Sequence, residues 1–132
     1  MNDKQQVERV FARLFNGGLI ERVPKRADDA QVFLALAAAS LPGAAHAETE
    51  VNLHLAAWLE DIVTPVSMDY VTVRRALVDA QFLLRDVSGH RYSPNFRKIS
   101  SVLTEEAMQV RPVDVMIQVH AEREARRRAR VS

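Results

Sequence analysis

Arginines and small polar side chains occur together where the sequence predicts a helix followed by a hairpin. The side chains suited to contacting a nucleic acid there are Tyr70, Thr72, Arg74, Arg75, Arg85 and Arg91. Arginine binds phosphate oxygens, and it also reads guanine edges in the major groove. The helix beginning near Tyr70 would place its first turn against the bases. This pattern predicts contact with double-stranded DNA.

The same arginines also have a purely structural interpretation. Arg75 and Asp79 are spaced i, i+4, and Arg74 or Arg85 has Asp79 or Asp86 as a candidate partner. Ion pairs of this kind would fix the helix against the hairpin without a ligand. Residues 65–95 carry four arginines against three aspartates, which is a weak positive balance for neutralising phosphates. Both interpretations stay open at this stage.

A second group of arginines lies near the C-terminus. Its members are Arg123, Arg126, Arg127, Arg128 and Arg130. Glu122 is spaced i, i+4 from Arg126, and Glu124 from Arg128, which is typical of a solvated helix. The alternative interpretation is a basic arm that binds nucleic acid or another anionic partner.

Other chemistry has little support in the sequence. His46, Glu50 and His54 are spaced i, i+4 and i+8, but His46 is expected to precede the helix and so to leave the shared face. No phosphate-binding glycine loop and no serine with an obvious histidine partner is present. We therefore expect no catalytic residue, no metal site and no cofactor. Glu48 and Glu50 are expected to favour the helix start, and Asn52 is expected to hydrogen-bond a neighbouring loop.

Composition limits the class of protein. The chain has 132 residues, 48% of them hydrophobic, and a formal net charge of +1, which suits one globular domain. It contains no cysteine, so disulfides and thiolate chemistry are excluded. Basic residues exceed acidic ones only from Phe96 onward, by eight to five. We see no signal peptide and no apolar run long enough to cross a membrane, and we expect a cytoplasmic protein.

Apolar spacing predicts four helices before the hairpin. The first carries Val7, Val10, Phe11 and Leu14, the second spans residues 28–40 and is apolar nearly all round, the third starts at Glu48, and the fourth is capped by Ser67 or Asp69. Residues 82–85 and 90–93 are predicted strands joined near Ser88-Gly89. Thr104 is expected to open a short helix and Pro112 a last one, which dissolves into the arginine tail.

This order of elements predicts a mostly α, winged-helix-like fold, in which a helix-turn-helix and a small β-hairpin are joined by extra N- and C-terminal helices. We divide the chain into an N-terminal helix (1–22), a winged-helix-like domain (23–95) and a C-terminal helical extension with a basic tail (96–132).

Four short motifs lie at defined spacing within residues 23–92. They are Pro24-Lys25, Glu48-Thr49-Glu50-Val51-Asn52, Val73-Arg74-Arg75-Ala76-Leu77-Val78-Asp79 and Arg85-Asp86-Val87-Ser88-Gly89-His90-Arg91-Tyr92. Together they resemble the bacterial domain-of-unknown-function family numbered 2087. The resemblance implies a winged-helix-like fold and a role in transcription control, because members occur alone or behind a DNA-binding domain of arsenical-resistance-repressor type. This chain departs from the family pattern in its longer link at residues 62–68 and in its extension after Asn95.

Two functions are therefore considered. The first is a non-enzymatic, transcription-associated module that contacts double-stranded DNA through the fourth helix, the hairpin and the basic tail. The second is a module of winged-helix shape that binds another protein or a second copy of itself and does not bind DNA. Its interface would use exposed apolar residues on the first or last helix, namely Phe11, Phe15, Met116 and Val119.

Overall fold

The computed structural model describes residues 1–65 and 67–131, and it is mainly helical with one small sheet. Its helices are α1 (Lys4–Leu14), α2 (Ala27–Ala39), α3 (Glu48–Leu59), α4 (Tyr70–Asp79), α5 (Phe96–Val102) and α6 (Pro112–Val131), with a 3-10 helix at Ala107–Gln109. The strands are β1 (His46–Ala47), β2 (Leu83–Arg85) and β3 (Arg91–Pro94). This mostly helical, winged-helix-like arrangement confirms the predicted fold class.

Aspartate side chains begin α1 and α4. The Asp3 carboxylate accepts the backbone N–H of Gln6 at 2.9 Å, and the Gln6 side chain accepts the backbone N–H of Asp3 at 2.8 Å. The Asp69 carboxylate accepts the backbone N–H of Thr72 and so caps α4, which makes the second of the two predicted caps the one observed. Such caps satisfy backbone donors that have no partner inside the helix.

The second helix forms the centre of the core. Every residue from 32 to 38 is buried, as its apolar sequence predicts. The Phe33 ring stacks near Phe11 of α1 with centroids 6.0 Å apart and meets Trp58 of α3 edge-on at 5.5 Å. Aromatic pairs at these separations add to the stability gained from burial.

Both ends of the chain contribute to this core. Val7, Phe11 and Phe15 from the first helical segment are buried, as are Ile99 and Leu103 near α5. Phe11 and Phe15 therefore do not supply the exposed apolar interface considered for the first helix. The N-terminal and C-terminal segments also pair directly, because the backbone of Asn2 bonds to Val102 and Thr104.

The sheet has the order β1-β3-β2, and both pairings are antiparallel. The predicted hairpin is β2 and β3, with Tyr92 opposite Arg85. Gly89 in its turn has a φ of +75°, a conformation that favours glycine. The third strand, β1, was not predicted, because two residues are too few to show the alternation on which strand prediction depends.

Three C-terminal features differ from the sequence-based expectation. Helix α5, capped by the Asn95 side chain, was not predicted, since seven residues with only Ile99 buried show no clear period. The short helix near Thr104 is a single 3-10 turn. The last helix does not dissolve at the arginine tail but continues to Val131, because Ala, Glu and Arg are strong helix formers. Within the described residues, no helix combines the length and apolar character needed to cross a membrane.

Candidate nucleic-acid interface

The first turn of α4 is arranged around its capping aspartate. The Asp69 carboxylate accepts both the backbone N–H of Thr72, at 2.9 Å, and its hydroxyl, at 3.0 Å. These hydrogen bonds, with the backbone N–H first in importance, lower the pKa of Asp69 below its ordinary value. Thr72 is exposed but engaged with Asp69, while Tyr70 is exposed beside it. The start of the candidate recognition helix therefore carries a fixed negative charge.

Arg74 lies between α4 and α3. Its Nη2 is 2.9 Å from the Glu48 carboxylate, its Nη1 donates to the side-chain oxygen of Asn52, and only 14% of its side chain is exposed. The expected partners Asp79 and Asp86 are not used, and Asn52 bonds to a helix rather than to a loop. Arg74 thus joins α4 to the start of α3.

The start of α3 is held by a second acidic residue. Glu50 accepts the backbone N–H of Ala47 at 3.1 Å, and its other carboxylate oxygen is 3.5 Å from Nδ1 of His46. The bond from Ala47 is the main cause that lowers the pKa of Glu50, followed by the bond from His46. His46 is buried in β1 before the helix, and its Nε2 lies 3.0 Å from the Pro42 carbonyl.

The positions of His46, Glu50 and His54 can be compared with the metal-binding arrangement considered from their spacing. His46 lies outside α3, with its ring centroid 6.1 Å from that of His54. Across residues 1–65 and 67–131, no group of three or more His, Cys, Asp or Glu side chains is arranged to hold a metal ion.

Arg75 and Arg85 are exposed on neighbouring elements. Helix α4 packs against β2, and Arg75 lies on the exposed side of α4. In the part of the chain that the structure describes, neither guanidinium forms an ion pair, and the expected Arg75–Asp79 pair is not made. Arg85 lies over the backbone of Gly89, where a Cβ atom would come within 2.8 Å of its Nη2.

A network around Asp86 shapes the hairpin turn. Its carboxylate accepts the Ser88 hydroxyl at 2.9 Å, the backbone N–H of His90 at 3.0 Å and that of Arg91 at 3.3 Å. Desolvation alone would raise the pKa of Asp86, but these hydrogen bonds together lower it. The Asp-Val-Ser-Gly sequence is typical of such a turn, so Asp86 is a turn-forming residue and not the ion-pair partner that was predicted. The network fixes the strand ends that carry Arg85 and Arg91.

Arg91 also fastens β3 to the segment before β1. Its Nη2 donates to the Ala45 carbonyl at 2.9 Å, and its charge contributes to the lowered pKa of Glu50. A guanidinium has five N–H donors, so Arg91 retains donors for a ligand.

The basic tail lies on α6, which packs against α1, whereas Arg75 and Arg85 lie on α4 and β2. Arg123 donates to the Asn16 carbonyl, and Arg127 pairs with Glu124 at 3.6 Å. The expected pairs of Glu122 with Arg126 and of Glu124 with Arg128 are not formed. The remaining tail arginines, Arg126, Arg128 and Arg130, are exposed and make no ion pair within the described residues.

Comparison with known proteins gives one finding. Residues 19–93, more than half of the chain, match the family described as an uncharacterized protein conserved in bacteria (DUF2087). The match covers the segment from the connector after α1 through β3, including Arg74, Arg75, Arg85 and Arg91. No curated protein and no solved structure matched the chain. The chain is a member of the bacterial DUF2087 family.

Proposed function

We propose that this chain is a non-enzymatic, cytoplasmic, transcription-associated module that contacts double-stranded DNA through α4 and the β2–β3 hairpin. The observation that carries the proposal is the pair of exposed arginines on these adjoining elements, Arg75 and Arg85, which form no ion pair within the described residues. An arginine without an acidic partner keeps its full charge and all its donors available for phosphate.

The contact is proposed to be with the phosphate backbone more than with base edges. Asp69 and Thr72 already satisfy each other at the start of α4, and the Asp69 charge would repel phosphates close to that turn. Arg74 is occupied by Glu48. Arg75, Arg85 and Arg91 are left as the contacts, and phosphate contacts of this type position a protein without selecting a sequence.

The tail of α6 would add a second, long-range contribution. Its exposed arginines lie along a helix that extends past Arg123, which donates to the Asn16 carbonyl. A row of charges of one sign attracts a polyanion and speeds the encounter. We therefore propose that the tail raises the affinity for any DNA sequence. The α4–hairpin surface, formed by Arg75, Arg85 and Arg91, would position the module on the duplex.

Titration of a fluorescently labelled DNA duplex of mixed sequence, followed by anisotropy at several salt concentrations, tests the proposal. Arg75→Gln with Arg85→Gln is expected to reduce the slope of log affinity against log salt by about two. The matched control is Arg9→Gln with Arg22→Gln, which removes two exposed charges from α1 and the following link. Equal losses in both double variants, or no binding by the full chain at low salt, would contradict the proposal.

A second candidate is a module that binds a protein or a second copy of itself. Leu84 and Val87 favour it, because both are exposed apolar residues on the same hairpin. The negative charge at the start of α4 also favours a partner other than DNA. Sedimentation of the full chain beside Leu84→Ser with Val87→Ser tests this candidate, which predicts a loss of self-association or of a co-purifying partner.

A further inference from the structure

A cavity separate from the α4–hairpin surface lies where the C-terminal extension meets α2 and α3. Its volume is about 440 Å³, within the range of about 300–1,000 Å³ that is usual for small-molecule sites. Its apolar lining includes Leu36, Trp58 and Met108, while Asp61, Gln109 and Arg111 form an exposed rim. Polar atoms make up more than half of the accessible lining, so a ligand that fits must carry polar or charged groups as well as an apolar part.

Trp58 lines this cavity and carries a hydrogen-bond donor without a partner among the described residues. The indole packs edge-on against Phe33 and is half-buried, and no hydrogen bond to its ring N–H occurs among the described residues. No fully buried side-chain nitrogen or oxygen there lacks a partner, so the indole N–H must be accessible. It is the one tryptophan in the chain, so tryptophan emission comes from a side chain that lines the cavity.

The two rim charges have opposite signs. Asp61 and Arg111 both line the cavity and are exposed, and neither forms an ion pair, with the other or with any further described residue. A ligand with a single net charge would be attracted by one of them and repelled by the other. A zwitterion would satisfy both charges at once.

We propose that this cavity binds a small zwitterion with an apolar body, of the apolar amino-acid class. Arg111 would hold the carboxylate and Asp61 the ammonium group, while Leu36, Trp58 and Met108 cover the apolar side chain. The family-matched segment supplies Asp61 and the extension supplies Arg111, so the site is complete only with both. The inference is independent of DNA binding.

The probe for the test is free leucine, and the readout is the emission of Trp58 in the full chain, repeated by titration calorimetry. N-acetylleucine lacks the ammonium group and leucinamide lacks the carboxylate, while both retain the apolar body. Each is expected to bind at least about tenfold more weakly than leucine, because charge-assisted hydrogen bonds are the strong ones.

Two variants connect each lost ligand group to its residue. Asp61→Asn should weaken the binding of leucine about tenfold but leave the affinity for N-acetylleucine unchanged. Arg111→Gln should weaken the binding of leucine by a similar factor but leave the affinity for leucinamide unchanged. Asp79→Asn and Arg97→Gln are the matched controls, since both are exposed and line no part of this cavity.

Equal affinity for the three probes would overturn the proposal. So would the absence of saturable emission and heat changes at about 10 mM leucine, where a site with a millimolar dissociation constant is mostly filled. Neither result would bear on the DNA titration.

Discussion

Arg74 and Arg75 are neighbours in sequence with different roles in the structure. Arg74 is mostly buried between Glu48 and Asn52, while Arg75 is exposed and forms no ion pair among the described residues. A sequence pattern cannot separate them, because the partner of Arg74 lies 26 positions away and only the packing of α4 on α3 brings it close. The pair therefore gives a comparison in which the same residue type is removed from two environments.

Replacing Arg74 with Ala should reduce the free energy of unfolding by about 1.5–3 kcal/mol, the range for hydrogen bonds to charged groups. Arg75→Ala should change it by less than about 0.5 kcal/mol, as is usual on an open surface. Urea unfolding of both variants measures the difference. If the two variants were equally stable, Arg74 would not be the link between α3 and α4.

The cap at Asp69 predicts a pH-dependent effect. Its pKa is lowered in the folded protein, so its contribution to stability is full above the ordinary value of 3.8 and is lost as the pH falls through the folded value. Asp69→Ala should therefore be destabilised at neutral pH, and the difference from the natural chain should shrink below about pH 4. Asp79→Ala, which removes an exposed charge without a cap, should show no such convergence in urea unfolding at matched pH.

At the scale of elements, helix α4 shows what periodicity can establish. Val73 and Leu77 are four positions apart, the spacing that places two side chains on one face of a helix, and both are fully buried. Leu77→Ala should cost about 2–5 kcal/mol, the range for removing a buried leucine side chain. Thermal or urea unfolding measures it, with the exposed Leu84→Ala as control. A cost below about 0.5 kcal/mol would mean that α4 does not pack through this face.

The elements that periodicity revealed are those long enough to show a period. Helices α1 to α4 and the β2–β3 hairpin were predicted. Strand β1, with two residues, and helix α5, with seven, were not, because elements this short are stabilised by partners distant in sequence. Asp29 shows the same limit for a single side chain. A carboxylate in the first turn of a helix is expected to be solvated, yet Asp29 is buried and paired with Arg13 of α1.

For the candidate interface, the sequence supplied the residue types but not their partners. Arg75, Arg85 and Arg91 lie on the predicted helix and hairpin, and their exposure follows from those elements. Arg74 is paired with Glu48, and Thr72 is hydrogen-bonded to Asp69. Both interactions depend on side-chain geometry that sequence spacing does not specify. The cavity at Trp58 was not predicted either, because it forms only where the 3-10 helix and the start of α6, both from the extension, cover α2 and α3.

At the scale of the whole molecule, residues on both sides of the predicted division at Asn95 contribute to one hydrophobic core. Buried residues after that point include Ile99, Leu103, Ala107, Val110 and Val115. A chain ending at Asn95 should fail to unfold cooperatively, because each fully buried large aliphatic side chain contributes about 1.5–3 kcal/mol to a total of only about 5–15 kcal/mol. Circular dichroism during heating measures the loss.

A chain ending at Glu122 is the matched control. It removes the arginine tail and the exposed end of α6, but keeps every buried residue of the described part of the chain. We expect it to unfold cooperatively at nearly the temperature of the full chain. If the chain ending at Asn95 also unfolded cooperatively, residues 23–95 with α1 would be self-sufficient, and the extension would serve the Trp58 cavity and the basic tail rather than the fold.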